Sequence, residues 1–169
     1  LKSHFGLWQW LSFLLILIPF VGRVEFVWSN FPWSPISLGG ILPFSDASGY
    51  MDGAASLAKG NEMNAYAAKR PVGISFLASI YKIFQGNFGL ITLAYAFLHS
   101  LVMWASMRAL ALQFGALVPL VFGLHYFEFS NLYTTNFLTE NYGLIMGALA
   151  LSFCLRAFRF KNHSDFFIS

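Results

Sequence analysis

The stretch FGLITLAYAFLHSLVMWASM, residues 88–107, holds twenty consecutive residues without a formal charge and is followed by Arg108. An α-helix rises about 1.5 Å per residue, so such a stretch spans the roughly 30 Å hydrocarbon core of a bilayer. Because the stretch has no charged side, it fits a helix surrounded by lipid and by other helices. We therefore predict a transmembrane helix here, and this prediction decides the fold class.

Further apolar runs lie on both sides of this stretch. We predict full membrane spans at three of them: residues 5–22, 109–127 and 141–155. A shorter run at residues 71–85, interrupted by Lys82, barely reaches across the hydrocarbon and is expected to be a partial span. The expected fold is all-α, a polytopic bundle of transmembrane helices that forms a single membrane domain over residues 1–169.

Composition supports the bilayer as the solvent for most of the chain. Of the 169 residues, 57% are hydrophobic and 10% are charged, whereas soluble domains carry about 25% charged residues. The net charge of +3 is too small for the basic surface that nucleic-acid binding requires. Membrane lipids are therefore the expected partners, and nucleic acid is not. The single cysteine, Cys154, excludes an internal disulfide.

Residues 23–70 differ from the apolar runs and are predicted to form a long external loop. This segment holds eight of the seventeen formal charges, several prolines and the pair Gly39-Gly40. Loops of this length are usually functional or disordered. Its Ala-rich second half, residues 46–68, places apolar side chains at helical spacing. We predict a helix lying along the membrane surface, with Ser45 or Asp46 as its N-cap.

Basic residues favour one of two topologies. If every run crosses the membrane, the basic C-terminal segment lies on the same side as the long loop, against the positive-inside tendency. If residues 71–85 turn back instead, the basic positions share the cytoplasmic side: Lys2, Arg108, Arg156, Arg159 and Lys161. Asp46 and Glu140 then share the external side. We favour this second topology, for an integral multi-pass protein of a bacterial inner membrane.

Short motifs follow one another in an order that is similar to a known family. They are Ser45-Asp46-x-x-Gly49-Tyr50, Ala55-x-Leu57-Ala58-x-Gly60, Lys69-Arg70-Pro71, and Thr139-Glu140 directly before Asn141-Tyr142-Gly143-Leu144. The pattern resembles the N-terminal part of the GT-C superfamily of polytopic glycosyltransferases, which includes protein mannosyltransferases and the aminoarabinose transferases of lipid A. The resemblance covers residues 5–160. Family members are longer, so the chain corresponds to a fragment or a truncated relative of such enzymes.

The resemblance implies a membrane glycosyltransferase with a polyprenyl-phosphate-linked sugar donor and an external active site. Asp46 matches the acidic residue that serves as a base or positions the acceptor, and Glu140 matches a second external acidic residue. Lys69 and Arg70 match the basic residues that bind the donor phosphate. We add Tyr50 as a candidate substrate contact, with an interfacial anchor as the alternative.

The chemistry of these residue types is consistent with that assignment. An acceptor hydroxyl needs a carboxylate within hydrogen-bond reach to take its proton, and a leaving lipid phosphate needs cationic partners. A carboxylate can also help to hold a divalent metal ion, although no cofactor is assigned. Simpler roles stay open: Asp46 as a helix cap, Lys69-Arg70 as interfacial side chains, and Glu140 as a charge favourable to a helix N-terminus.

The alternative function is a non-catalytic structural or pigment-associated subunit of a larger membrane complex. The charge-free spans would then pack on further membrane subunits, and His99 or His125 would ligate a pigment or metal. A helix–helix hydrogen bond is the more expected role for such a histidine. A structural subunit has little need for the long loop with Asp46 and Lys69-Arg70, so we favour the enzyme.

Overall fold

The computed structural model describes residues 2–30, 33–34, 37–38 and 42–165, with side chains at 6–30 and 42–158. Helices dominate this part of the chain: α1 (Lys2–Asn30), α2 (Asp46–Ala58), α3 (Pro71–Ile83), α4 (Phe88–Phe114), α5 (Leu117–Asn131) and α6 (Glu140–Asp165). Three two-residue strands form a small antiparallel sheet in the order β1 (Trp33–Ser34), β2 (Ser37–Leu38) and β3 (Leu42–Pro43). The all-α prediction is confirmed.

Three helices are long and apolar enough to cross a membrane, judged by length and composition. The qualifying segments are Gly6–Asn30 in α1, Phe88–Phe114 in α4 and Glu140–Phe158 in α6. Helix α3 is a shorter apolar helix of 13 residues, about 20 Å long at about 1.5 Å per residue. This length is less than the roughly 30 Å of a hydrocarbon core, and the partial span at 71–85 stays a prediction.

The predicted boundary between spans at Arg108 is wrong. Helix α4 continues through Arg108 and ends at Phe114, because the Arg108 guanidinium lies 4.8 Å from the centroid of the Trp104 ring and needs no break in the helix. The chain turns at Gly115, whose φ of 74° is readily adopted only by glycine. The run predicted at 109–127 is thus divided between the end of α4 and α5.

Two other predicted boundaries also move. The loop expected from residue 23 begins later, because α1 continues to Asn30 with Val24 and Val27 buried on the same stripe as Phe20. The helix expected over residues 46–68 ends at Ala58, and Gly60 turns the chain with a φ of 82°. Ser45 occupies the N-cap position, but its side chain makes no capping hydrogen bond.

Helices α1 and α5 both run antiparallel to α4. On the α1 side, Nε1 of Trp104 donates a hydrogen bond to Oγ of Ser12 at 3.0 Å, while Trp28 lies beside Gly89 at the other end of the helix pair. On the α5 side, the His99 ring meets the Tyr126 hydroxyl at 2.9 Å. The beginning of α1 and the end of α4 therefore lie at the same end of the bundle.

Helix α6 runs parallel to α4 and contacts it through polar groups at a seven-residue spacing. We call the following three pairs the polar seam: His99 with Asn141, Ser106 with the carbonyl of Ala148, and Gln113 with the carbonyl of Leu155. Each pair is separated by 42 residues in sequence. The buried hydroxyls of Ser106 and Ser152 also lie 2.9 Å apart. Interhelical hydrogen bonds of this kind hold helices together where apolar packing alone does not select a partner.

Helix α3 stays beside the first half of α4 and the start of α6. The Phe76 ring lies 6.5 Å from that of Tyr95 on α4 and 5.3 Å from that of Tyr142 on α6. A turn through residues 84–87 then leads directly into α4. Together with α2, this helix forms a cap over one end of the bundle, opposite the ends of α4 and α6 that carry the basic residues.

Small residues bring α2 close to the segment that precedes α3. A Cβ added at Gly53 would lie 2.2 Å from Cβ of Ala67, and one added at Gly49 would lie 2.8 Å from the Tyr66 ring. Tyr50 and Ala54 on the same helix are buried, which agrees with the predicted apolar face. Close contact at these glycines fixes the position of the turn that carries Lys69 and Arg70.

Candidate functional site

The approach to α3 positions Arg70. The side chain of Asn64 joins this segment to α2: its Nδ2 donates to the carbonyl of Gly49 at 3.1 Å, and its Oδ1 accepts from the amide of Ala67 at 2.7 Å. A 3-10 turn over Ala67–Lys69 follows. Pro71 then begins α3, a position where its missing N–H costs no helical hydrogen bond. Arg70 is thereby held between the end of the turn and the start of α3.

A buried tyrosine, Tyr50, supports the Arg70 side chain from the interior of the protein. Nε of Arg70 donates a hydrogen bond to Oη of Tyr50 at 3.0 Å. The Tyr50 ring stacks on that of Tyr66 with 5.0 Å between centroids, and Nζ of Lys69 lies 5.8 Å from the centroid of the Tyr66 ring. Two tyrosines thus support both neighbouring cations, and the Arg70 Nη groups make no hydrogen bond to any described residue.

Nearby groups favour the charged form of Arg70 and the neutral form of Tyr66. Hydrogen bonding to Tyr50, with a further contribution from the Glu140 carboxylate, raises the pKa of the Arg70 guanidinium. Hydrogen bonding with Tyr50 and then with the Asp46 carboxylate raises the pKa of Tyr66. Tyr66 therefore stays neutral over a wider pH range than a free tyrosine, with Tyr50 and the Asp46 carboxylate as the neighbouring groups responsible.

Glu140 reaches this cluster because α6 begins against α3. A Cβ added at Gly73 would lie only 3.0 Å from Cγ2 of Thr139, so a glycine here lets the two helix starts meet. Glu140 is the first residue of α6 and is exposed. A carboxylate at a helix N-terminus is favoured by the macrodipole, and the same position brings it within the electrostatic range of Arg70.

A cavity of about 300 Å³ opens at the meeting point of these helix starts. Its wall includes Lys69, Arg70, Pro71, Gly73, Thr139 and Tyr142. The wall thus combines two cationic residues with a threonine and a tyrosine. Such a cavity can hold an anionic group at its cationic residues and a hydroxylic group at its polar residues.

The site residues predicted from the sequence lie at one end of the molecule, but only some of them line the cavity. Lys69 and Arg70 line the cavity. Glu140 is not part of its wall, but in sequence it lies between the lining residues Thr139 and Tyr142. Asp46 interacts with Tyr66 and does not line the cavity. Tyr50 is buried under Arg70, so its contact with a substrate stays a prediction. Sequence reasoning missed Tyr66, because Gly49, which leaves room for its ring, is informative only once its neighbour is known.

The two histidines considered as ligands are placed differently. His99 is fully buried, and its two ring nitrogens bond to the Tyr126 hydroxyl and to Oδ1 of Asn141, each at 2.9 Å. Both nitrogens are used, so the expected helix–helix hydrogen bond is confirmed and no nitrogen remains for a pigment. Nδ1 of His125 lies 2.9 Å from the carbonyl of Val121 on its own helix.

Asn141 ties the start of α6 to the turn before it. Its Nδ2 donates to the carbonyls of Tyr133 and Asn136 at 2.9 and 2.7 Å, while its Oδ1 meets His99. The side chain next to Glu140 is thus fixed at every polar atom. Within the part of the chain that the structure describes, no three His, Cys, Asp or Glu residues form a group that could hold a metal ion.

Comparisons with known proteins add no family to this picture. No protein-family model matches the chain, and no curated protein or solved structure matches it. The assignment of function therefore depends on the residues and their geometry.

Proposed function

We propose that this chain is a membrane glycosyltransferase, or the N-terminal part of one, that transfers a sugar from a polyprenyl-phosphate-linked donor to an external acceptor. The observation that carries the proposal is the meeting of Lys69 and Arg70 at one cavity, with Glu140 and Asp46 at the same end of the molecule. Asp46, the Lys69-Arg70 pair and Glu140 lie far apart in sequence, and their positions on α2, before α3 and on α6 support the proposal. The order of motifs that resembles the GT-C superfamily supports the same function.

In this proposal the cations bind the donor phosphate. Arg70 offers its Nη groups, because its Nε is already bonded to Tyr50, and Lys69 adds a second positive charge at the cavity wall. As the bond between the sugar carbon and the phosphate oxygen breaks, negative charge grows on the leaving lipid phosphate. Cationic hydrogen-bond donors stabilise that charge and lower the barrier.

The carboxylates act on the acceptor. Asp46 takes the proton of the acceptor hydroxyl as the new bond forms between the acceptor oxygen and the sugar carbon. Tyr66, which interacts with Asp46, keeps this carboxylate directed towards the cluster. Glu140 balances the charge of Arg70 when no donor is bound. The lipid of the donor remains in the bilayer, alongside the apolar helices.

The membrane arrangement that fits this function is a polytopic bundle with the cap outside. The ends of α4 and α6 that carry Arg108 and Arg156 lie opposite Asp46 and Glu140, so a cytoplasmic position for the basic end satisfies the positive-inside tendency. Helices α1, α4 and α6 cross the membrane in this arrangement, α5 packs on α4 and leads the chain back towards the start of α6, and α3 remains in the cap.

A topology reporter tests this arrangement. We expect a reporter fused after residue 161 to read as cytoplasmic, and one inserted in the exposed turn at Gly60 to read as external. Alkaline phosphatase and a fluorescent protein at both positions give opposite signals and control for expression. An external signal after residue 161 would place Arg156 outside and remove the proposed orientation.

Donor binding tests the role of the cations. We expect Arg70→Gln to weaken binding of a polyprenyl phosphate to the chain in lipid nanodiscs by about tenfold, because a charge-assisted hydrogen bond contributes about 1.5–3 kcal/mol. The matched control is Lys59→Gln, an exposed cation at the end of α2, which should bind as the unchanged protein does. Equal binding of polyprenyl phosphate and the uncharged polyprenol by the unchanged protein would contradict a phosphate site.

A further inference from the structure

A second, apolar groove lies between the N-terminal half of α1 and the C-terminal half of α4, away from the Arg70 cavity. Its volume is about 240 Å³, and its wall includes Gln9, Trp10, Phe13, Phe97, Leu101 and Trp104. The Phe13 ring packs edge-on against the rings of Phe97 and Trp104, with centroid distances of 5.7 and 6.1 Å. The groove floor is therefore a built aromatic surface.

One end of the groove is polar, and the other is apolar. The hydrogen bond from Trp104 to Ser12 aligns the antiparallel helices, so Gln9 and Arg108, each about one helical turn further along, lie at the same level. The Arg108 guanidinium lies 4.8 Å above the Trp104 ring. Phe97 lies about two turns in the opposite direction along α4, towards the middle of the bundle. The polar end thus faces the basic end of the bundle.

Arg108 makes no ion pair with any side chain that the structure describes. A half-buried cation beside an apolar groove, at the level where a helix approaches the membrane boundary, is complementary to an anionic headgroup with its acyl chain. Tryptophans are also favoured at this level, and both Trp10 and Trp104 line the groove. Charge and shape at the groove therefore match a single class of ligand.

We infer that this groove binds one acyl chain of an anionic phospholipid, with the phosphate at Arg108 and the chain along Phe13, Phe97 and Leu101. The leaflet, cytoplasmic in the proposed orientation, depends on the proposed function's topology, whereas the groove and its cation do not. The site lies at the opposite end of the bundle from Arg70, so it is separate from donor binding.

Tryptophan quenching by brominated lipids tests the site. The full chain is reconstituted in phosphatidylcholine bilayers doped with brominated phosphatidylglycerol or, as the neutral match, brominated phosphatidylcholine. We expect the anionic lipid to quench at an about fivefold lower mole fraction, the preference that one interfacial cation supplies. Arg108→Gln should remove this preference. Arg156→Gln, an exposed arginine towards the same end of the bundle, should keep it.

A substitution that fills the groove distinguishes lipid binding in the groove from lipid contact elsewhere on the helices. A Cβ added at Gly6, which lines the groove, meets no atom of the described side chains within 4 Å, so Gly6→Leu should fill the groove without disturbing the fold. Quenching by the anionic lipid should then weaken to that of the neutral lipid. Gly22→Leu, on the same helix and equally unobstructed, should leave it unchanged.

Three results would overturn the inference: equal quenching by the two lipids in the unchanged protein, a preference that survives Arg108→Gln, or a preference that survives Gly6→Leu. Loss of the anionic preference as the protein-to-lipid ratio rises would indicate a second copy of the chain in the groove and would also overturn it. Binding of polyprenyl phosphate at Arg70 is a separate readout, so failure here leaves the proposed transferase function to its own tests.

Discussion

Replacing Asp46 with asparagine is expected to reduce sugar transfer by about 10²–10⁴-fold, the usual contribution of a general base. Asparagine has nearly the same shape as aspartate, but it cannot accept the proton of an acceptor hydroxyl. Asp46 is exposed on the first turn of α2, so the substitution leaves no buried group unpaired. Transfer from a polyprenyl-phosphate-linked donor is measured in membranes that contain the chain.

The control for this substitution is Asp52→Asn on the same helix. Asp52 is also exposed, and it lies away from the interactions that join Asp46 to Tyr66, so transfer should be unchanged. Donor binding should survive both substitutions, because Lys69 and Arg70 are untouched. Unchanged transfer in Asp46→Asn would remove this carboxylate from the mechanism, whereas loss of donor binding would show that its role lies in supporting Tyr66 and Arg70.

The second large effect is expected for Gly53→Ala, which should destabilise the folded cap by about 1–3 kcal/mol, the cost of overpacking a close contact. The added Cβ would lie 2.2 Å from Cβ of Ala67, and neither methyl group can rotate away. The backbone around Ala67 has to shift, and this backbone leads through the 3-10 turn to Arg70. Thermal unfolding in detergent measures the loss of stability.

Donor affinity is a second readout of the same substitution. Movement of Ala67 should displace Arg70 from Tyr50, so polyprenyl phosphate should bind more weakly to Gly53→Ala than to the unchanged chain. The control is Gly22→Ala in α1, where an added Cβ meets nothing within 4 Å and alanine favours the helix. A cap that tolerates Gly53→Ala as well as it tolerates Gly22→Ala would contradict the close contact described for α2.

Charge-free runs predicted α4 and most of α1 and α6, whereas α2 was predicted from its Ala-rich helical spacing. The run at 109–127, predicted as a full span, is divided between α4 and the 15-residue α5. The run at 88–107 forms most of α4, but the charge of Arg108 was wrongly taken as the end of the span. Arg108 continues the helix because its guanidinium stacks on Trp104, an interaction that sequence spacing does not reveal. In contrast, Gly115 ends the helix through its backbone conformation. The turn after α4 therefore follows from Gly115 and not from the charge at Arg108.

The sequence was enough to predict several residues of the candidate site, but not the contacts that position them. Lys69, Arg70 and Glu140 were found from motif order. The short run after Pro71 forms a short apolar helix, and its partial crossing of the membrane stays a prediction. The support under Arg70 could not be found, since the tyrosine pair depends on a close approach between α2 and Ala67. Contacts of that kind follow from tertiary packing, which has no periodic signal in the sequence.

The polar seam sets the position of Glu140 along the bundle. Sliding α6 by one residue along α4 would part His99 from Asn141 and both other pairs at once, in surroundings where water cannot replace them. A displacement by seven residues, about 10 Å, would bring the same faces of the two helices opposite one another again. The start of α6, which carries Glu140, is therefore held in one position along α4, because a small displacement breaks three hydrogen-bonded pairs at once.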